Sequence, residues 1–212
     1  MAAPGHTTPL RSETFQNLQL NAGIFIKNAD YSSITNAGTL KTAITNLIAG
    51  TTSAFGSGAE LLGATRGGGS FTVTREIRVP EVDGRRYGFK GDSFVDSVEA
   101  QLSTTLIEVT PETFVTALSG ASITGSAPKQ TIKLGTAIDT DDYLTNVVWI
   151  GDMADGRYVL ICLDNAINTA DLTLTFTDKG EGTLPVEFHA KQDDVNDYDN
   201  APFEIVYFSP AT

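Results

Sequence analysis

Two stretches of the chain alternate between apolar and polar side chains over many residues. From Ser70 to Val79, Phe71, Val73, Ile77 and Val79 fall on one side, and Ser70, Thr72, Thr74, Glu76 and Arg78 on the other. From Phe94 to Val109 the apolar side carries Val98, Ala100, Leu102 and Leu106, against Ser97, Glu99, Gln101, Ser103 and Thr105. A period of two predicts strands that bury one face and wet the other along their whole length. Pro80 and Asp83-Gly84 lie between them, so the connection is a turn, with too many residues for a two-residue hairpin. The long second strand ends at a helix start: Thr110 is placed to cap, Pro111 to open the first turn and Glu112 to meet its positive end.

The same reading extends along the rest of the chain. Leu18 to Ile26 suits a first strand. Leu40, Ile44, Leu47 and Ile48 recur at helical spacing and predict a short amphipathic helix closed by Gly50. The run TTSAFGSGAE (51–60) is small and polar and reads as a surface loop. In the second half, Tyr143 to Ile150, Arg157 to Leu163, Leu172 to Phe176, Leu184 to Ala190 and Phe203 to Phe208 are expected strands. Asp152 to Gly156 and Asp178 to Gly182 are turn-rich links, and Asp164 to Ala170 has room for a short helix. The sum is a mainly β protein, an antiparallel β-sandwich or barrel with one or two α-helices and a long hairpin loop. Residues 1–17, beginning MAAPGHTTPLRSET, lack periodicity and are expected to form a flexible arm, leaving 18–212 as one domain.

Composition narrows the classes. With 41% hydrophobic and 19% charged residues the chain suits a folded protein. No apolar run has the length of a transmembrane helix, and no signal-peptide pattern opens the chain, so folding and assembly are expected in the cytoplasm with no membrane partner. The net charge of −12 is unevenly placed: residues 1–138 hold 11 acidic and 11 basic side chains, residues 139–212 hold 15 acidic and 3 basic. All of the excess therefore sits in the last third. Such a surface does not displace counterions from nucleic acid phosphates, which disfavours tight nucleic acid binding. Cys162 stands alone in an apolar strand, so no internal disulfide forms and a buried, inert thiol is expected.

Candidate chemistry is sparse. Gly63 to Ser70 (GATRGGGS) superficially matches a phosphate-binding loop, but Gly69 stands where the lysine is needed and a strand follows in place of a helix. A flexible entry to a strand is the better reading. Asp193, Asp194, Asn196, Asp197, Asp199 and Asn200 offer oxygen ligands for calcium, yet Tyr198 breaks the alternation and neither a turn glycine nor a closing glutamate follows. The two histidines, His6 and His189, cannot complete a zinc site with each other, and no GxSxG elbow is present. His189 alternates outward with Glu187 and is expected to pair with a carboxylate. Acidic pairs such as Asp141-Asp142 are common in so acidic a chain and carry little weight. Nothing here argues for an enzyme, a cofactor or a metal.

The order of elements, with the phrases GATRGG, SVEAQLSTTLIEVTPE, DKGEG and PFEIVY, resembles the tail tube (major tail) proteins of long-tailed bacteriophages and their prophage relatives. The resemblance begins near TFQNLQLNAGIFIKN and covers most of the chain. It implies a virion protein, made in the host cytoplasm, whose subunits close into homohexameric rings that stack into a tail tube. Its partners would be further copies of itself, the tape measure protein, the tail terminator and the baseplate or tail tip proteins. DNA would pass through the lumen without specific binding. By order, the strands Ser70 to Val79 and Phe94 to Val109 match the family's lumen-forming pair, which makes Glu76, Glu99 and Gln101 candidates for the channel face. The loop between them carries Arg85, Arg86 and Lys90 and matches the family's contact between subunits or rings. The alternative is a non-catalytic β-sandwich that binds glycans or a receptor. Such modules usually cluster aromatics at a binding face, whereas Trp149, the single tryptophan, sits in an apolar strand.

Overall fold

A computed structural model describes residues 14–15, 17–175, 178, 180–193 and 200–210. Most of the expected arm, His6, Phe176 and the centre of the acidic calcium candidate (194–199) lie outside them. The strands are β1 (Ile24–Lys27), β2 (Glu60–Leu61), β3 (Thr65–Arg78), β4 (Phe94–Leu106), β5 (Ala121–Ser126), β6 (Lys129–Leu134), β7 (Leu144–Asp152), β8 (Tyr158–Asn168), β9 (Leu184–His189) and β10 (Phe203–Phe208). Two helices, α1 (Ala37–Ile48) and α2 (Pro111–Ala117), and a 3-10 turn at Thr140–Asp142 complete the described elements.

Eight strands form one antiparallel sheet in the order β2-β1-β7-β8-β9-β4-β3, with β10 also bonded to β8; β5 and β6 form a separate hairpin. The sheet forks at β8. Its first half, Tyr158 to Leu163, pairs with β10, and its end, Ile167 and Asn168, pairs with β9. The two blades fold over one another as a sandwich. Phe25, Val147, Trp149 and Leu163 from one blade meet Leu102, Leu106, Val186 and Phe188 from the other in a single buried core. The opposite face of the first blade is covered too: Ile26, Val148, Ile150, Leu160 and Cys162 pack under Leu40 and Ala43 of α1. This double covering explains why β7 is apolar without alternation from Val147 to Gly151, as expected of a strand buried on both faces.

Both helix starts follow from local chemistry. Asn36 caps α1, accepting from Gly38 and Thr39, and Thr110 caps α2 ahead of Pro111. On α1 the buried stripe is Ala37, Leu40 and Ala43, and Ile48 lies outside it, exposed at the last turn. The expected loop 51–60 is anchored from within, because Phe55 is fully buried among the α1 residues and Glu60 begins β2. The expected strand Leu18 to Ile26 shortens to β1 and a lone bridge from Gln19 to Met153. Among the described residues, Leu172 to Thr175 makes the single bridge Thr175–Thr183 and no longer ladder. The helix expected at Asp164 to Ala170 is instead the continuation of β8. Leu144 and Asn146 of β7 offer ladder partners to Ala166 and Asp164, and that pairing overrides the short polar pattern.

The glycines read as a flexible strand entry are part of β3 itself. Gly67 and Gly68 have positive φ in an irregular stretch of the β3–β4 ladder between Thr65 and Gly69. At Gly69 a Cβ would stand 2.6 Å from the Ser103 carbonyl oxygen and 2.7 Å from Phe25 Cζ, so only glycine lets β3 close over the core here.

Candidate assembly surfaces

The second blade, β3, β4 and β9, buries one face and presents the other to solvent. Ser70, Thr72, Thr74 and Glu76 of β3 lie opposite Ser103, Gln101, Glu99 and Ser97 of β4, and Gln101 and Ser103 in turn lie opposite His189 and Glu187 of β9. The three channel candidates Glu76, Glu99 and Gln101 therefore share one outward face. Its side chains bond among themselves: Ser70 Oγ and Ser103 Oγ are 2.8 Å apart, and Ser97 Oγ donates to Glu76 at 3.4 Å. His189 has Nδ1 at 2.8 Å from Glu99 and Nε2 at 3.0 Å from Glu187, so it bridges β4 and β9 between two carboxylates. A neutral imidazole donates from one nitrogen only, and a protonated ring satisfies both.

The β3–β4 pair departs from the expected half-burial. Beyond Phe71 and Ala100 the ribbon has no covering strand among the described residues: Val73, Ile77, Val95 and Val98 are exposed although they continue the apolar face. A two-stranded ribbon wet on both sides is marginal in water by itself. Arg78 pairs with Asp96 at 2.8 Å across the ribbon, near a bulge between Glu76 and Ile77.

At the ribbon's end the three basic candidates separate. Arg85 is turned inward, with its side chain 18% exposed. Its Nη1 donates to the Pro80 carbonyl at 2.9 Å, its Nε to the Tyr87 carbonyl at 3.1 Å, and its Nη2 pairs with Asp92. Those bonds occupy the guanidinium, so Arg85 organises its own loop and does not offer its charge outward. Arg86 and Lys90 are exposed. Asp92 also accepts from the Phe89 N–H at 2.7 Å. That bond, ahead of the Ser93 hydroxyl and the Arg85 charge and against a smaller effect of burial, holds the Asp92 carboxyl below its ordinary value of 3.8.

The ionised form of Asp92 therefore stabilises the closed loop. Its contribution is complete above the ordinary value and is lost as the pH falls through the lower folded one. A carbon-13 titration of the Asp92 carboxyl should show a midpoint below 3.8, with the Phe89 amide shifting in step. A midpoint at or above that value would contradict the closed loop.

Sequence reading missed the aromatic tip, where Tyr87 is 80% and Phe89 69% exposed. The available signal was two rings set between glycines and cations in RRYGFKG. It also missed the β5–β6 hairpin and, beside it, a cavity of about 290 Å³ between α2, β5 and the start of β7. Cys162 is buried as expected, and burial pushes its thiol up to about 12. Among the described residues, which include only Asp193 and Asn200 of the calcium candidate, no group of three or more His, Cys, Asp or Glu could hold a metal ion. The chain matches no protein-family model and no curated protein.

Proposed function

We propose that this chain is the subunit of a phage-type tail tube, closing into rings of six that stack around a hollow channel. One observation carries the reading. The wet face of β3, β4 and β9 is a continuous surface of hydroxyl, amide, carboxylate and imidazole groups: Ser70, Thr72, Thr74 and Glu76, then Ser97, Glu99, Gln101 and Ser103, then Glu187 and His189 share it without a Lys or Arg among them, and Arg75, opposite Val98, belongs to the other face. Such a wall repels phosphates or touches them weakly, so DNA slides along it. At the border of that face β3 is, among the described residues, an open edge, bonded to β4 on one side only. Joining such edges into a closed barrel removes the unpaired backbone groups that otherwise invite disordered aggregation. In this reading the tape measure protein occupies the lumen during assembly, and the tail terminator and tail tip proteins bound the two ends of the tube.

Purified protein raised to high concentration should form rings and hollow tubes by negative-stain electron microscopy, with matching early elution in size-exclusion chromatography. A chain that stays monomeric at every concentration and salt tested does not have this function.

A further inference from the structure

We propose that Asp83-Gly84 is a site of spontaneous backbone modification, where the chain closes to a succinimide and reopens as isoaspartate, undoing the turn that Arg85 holds. The sequence contains two Asp-Gly pairs, Asp83-Gly84 and Asp155-Gly156, and no Asn-Gly. In such a pair the side-chain carboxyl and the next backbone nitrogen close a five-membered ring, and glycine, lacking a side chain, leaves that nitrogen open to attack. Both pairs stand between a small apolar residue and an arginine, Val82 and Arg85 for one, Ala154 and Arg157 for the other. Local sequence therefore does not separate them. The fold does.

Asp155-Gly156 is tied down at both reacting groups. The Gly156 N–H donates to the Met153 carbonyl at 3.1 Å. Asp155 accepts from the Arg157 N–H at 3.1 Å and pairs with Nε of the Arg157 guanidinium. Burial acts to raise the Asp155 carboxyl, but the Arg157 N–H, its guanidinium hydrogen bond and its charge together hold it below the ordinary value of 3.8. Ring closure uses the neutral carboxyl, whose oxygen departs as water, so the contact with Arg157 also withdraws the reacting form.

Asp83-Gly84 has neither restraint. Both residues are exposed at the centre of the turn 82–85, which the Arg85 N–H closes onto the Val82 carbonyl at 3.2 Å, with Gly84 at φ +81°. Among the described residues the Asp83 carboxylate accepts no hydrogen bond and meets no cation, and the Gly84 N–H has no acceptor. The carboxyl is free to rotate onto the nitrogen.

The reaction balances with water alone. The Gly84 nitrogen attacks Cγ of Asp83, the N–Cγ bond forms, and the nitrogen's proton leaves with the Cγ hydroxyl as one water. Water then adds at the Asp83 backbone carbonyl carbon and breaks its bond to nitrogen. The chain now runs through Cβ and Cγ, and the former backbone carbonyl is a carboxylate. Charge is unchanged, but the backbone is one carbon longer. That carbon falls between Pro80 and Arg85, which Arg85 Nη1 ties together at 2.9 Å, so the product cannot close the same turn.

The test ages dilute, unassembled protein at neutral pH, native and in guanidinium chloride, until the denatured sample carries isoaspartate at both pairs. Trypsin places the pairs on separate peptides, 79–85 and 134–157, and isoaspartyl methyltransferase labels the new carboxylate from S-adenosylmethionine. Native protein should carry at least about tenfold more label on 79–85 than on 134–157, and denatured protein nearly equal label on both. Asp83→Glu, which would need a six-membered ring, should remove the label from 79–85 while circular dichroism stays native. In the modified fraction the Arg85 amide should exchange its hydrogen faster than in fresh protein. Equal label on the two peptides of native protein, label on 134–157 alone, or none on either would overturn the modification site. An Arg85 amide that exchanges as before would overturn the loss of the turn. Each of these outcomes reads the same whether or not the chain forms tubes.

Discussion

Phe55→Ala should cost about 3–5 kcal/mol of folding stability, the range for removing a fully buried phenylalanine. Phe55 has no exposed surface and fills the space between α1 and the outer face of the first blade, in one cluster with Ile26, Leu40, Ala43 and Phe208. The backbone around it is fixed. The Asp30 N–H donates to the Phe55 carbonyl at 2.8 Å, and Ser53 Oγ donates to the Ala43 carbonyl at 2.8 Å. The loop therefore cannot collapse freely into the vacated space, so the cavity cost adds to the lost transfer energy. Domains of this kind are stable by only about 5–15 kcal/mol, so the loss is a large fraction of the whole. Urea unfolding should show a lower midpoint with an unchanged slope. A change below about 1 kcal/mol would mean that the ring does not fill this site.

Asn146→Leu is expected to be nearly as damaging, for a different reason. Asn146 sits in β7 with its side chain turned to the backbone of Ala29: Nδ2 donates to the Ala29 carbonyl at 2.7 Å, and the Ala29 N–H donates to Oδ1 at 2.8 Å. Ala29 itself is 1% exposed, so water does not replace either bond. Leucine keeps the volume and strands both groups, at about 1–3 kcal/mol for each. The neighbouring Asn28 makes the reverse contact, accepting from the Thr145 N–H at 2.9 Å, so the two asparagines clamp the exit of β1 to the entry of β7. Hydrogen exchange separates this cause from general loosening. The Ala29 amide should lose protection far more than the amides of β4 and β9. Equal losses everywhere would count against the clamp.

How far the fold could be read from the sequence depended on whether a signal was local. β10 falls where the apolar run Phe203 to Phe208 placed it, and α2 begins at its Thr-Pro-Glu signature, because strand alternation and helix capping are written in neighbouring residues. Phe55 gave no such signal. Its partners are supplied by α1, β1 and β8, and a single aromatic among small residues has no period. The true length of β8 was hidden for the same reason, since its last residues look polar and are held in the ladder by β7. Alternation also carries less than it first suggests. Along β3 and β4 it distinguishes two faces correctly, and so gathers Glu76, Glu99 and Gln101 on one of them, but it does not say whether anything covers the other. Covering is a property of the first blade's width, which no residue of the ribbon encodes. Arg85 illustrates a further limit: beside Arg86 it looks equivalent, and only the fold of the loop brings Asp92, seven residues on, against it.

The fork at β8 gives the molecule a mechanical character. One continuous strand holds β10 along its first half and β9 at its end, so neither blade can slide past the other without shearing hydrogen bonds out of the same backbone. Shear across a row of parallel bonds loads them together, whereas peeling would break them singly. A pull applied to the ribbon travels down β4 and across β9, and reaches β8 at Ile167 and Asn168, next to Ala166, where its ladder with β7 begins. Tension therefore ends in the most deeply buried part of the protein, while the exposed wall remains free to bend.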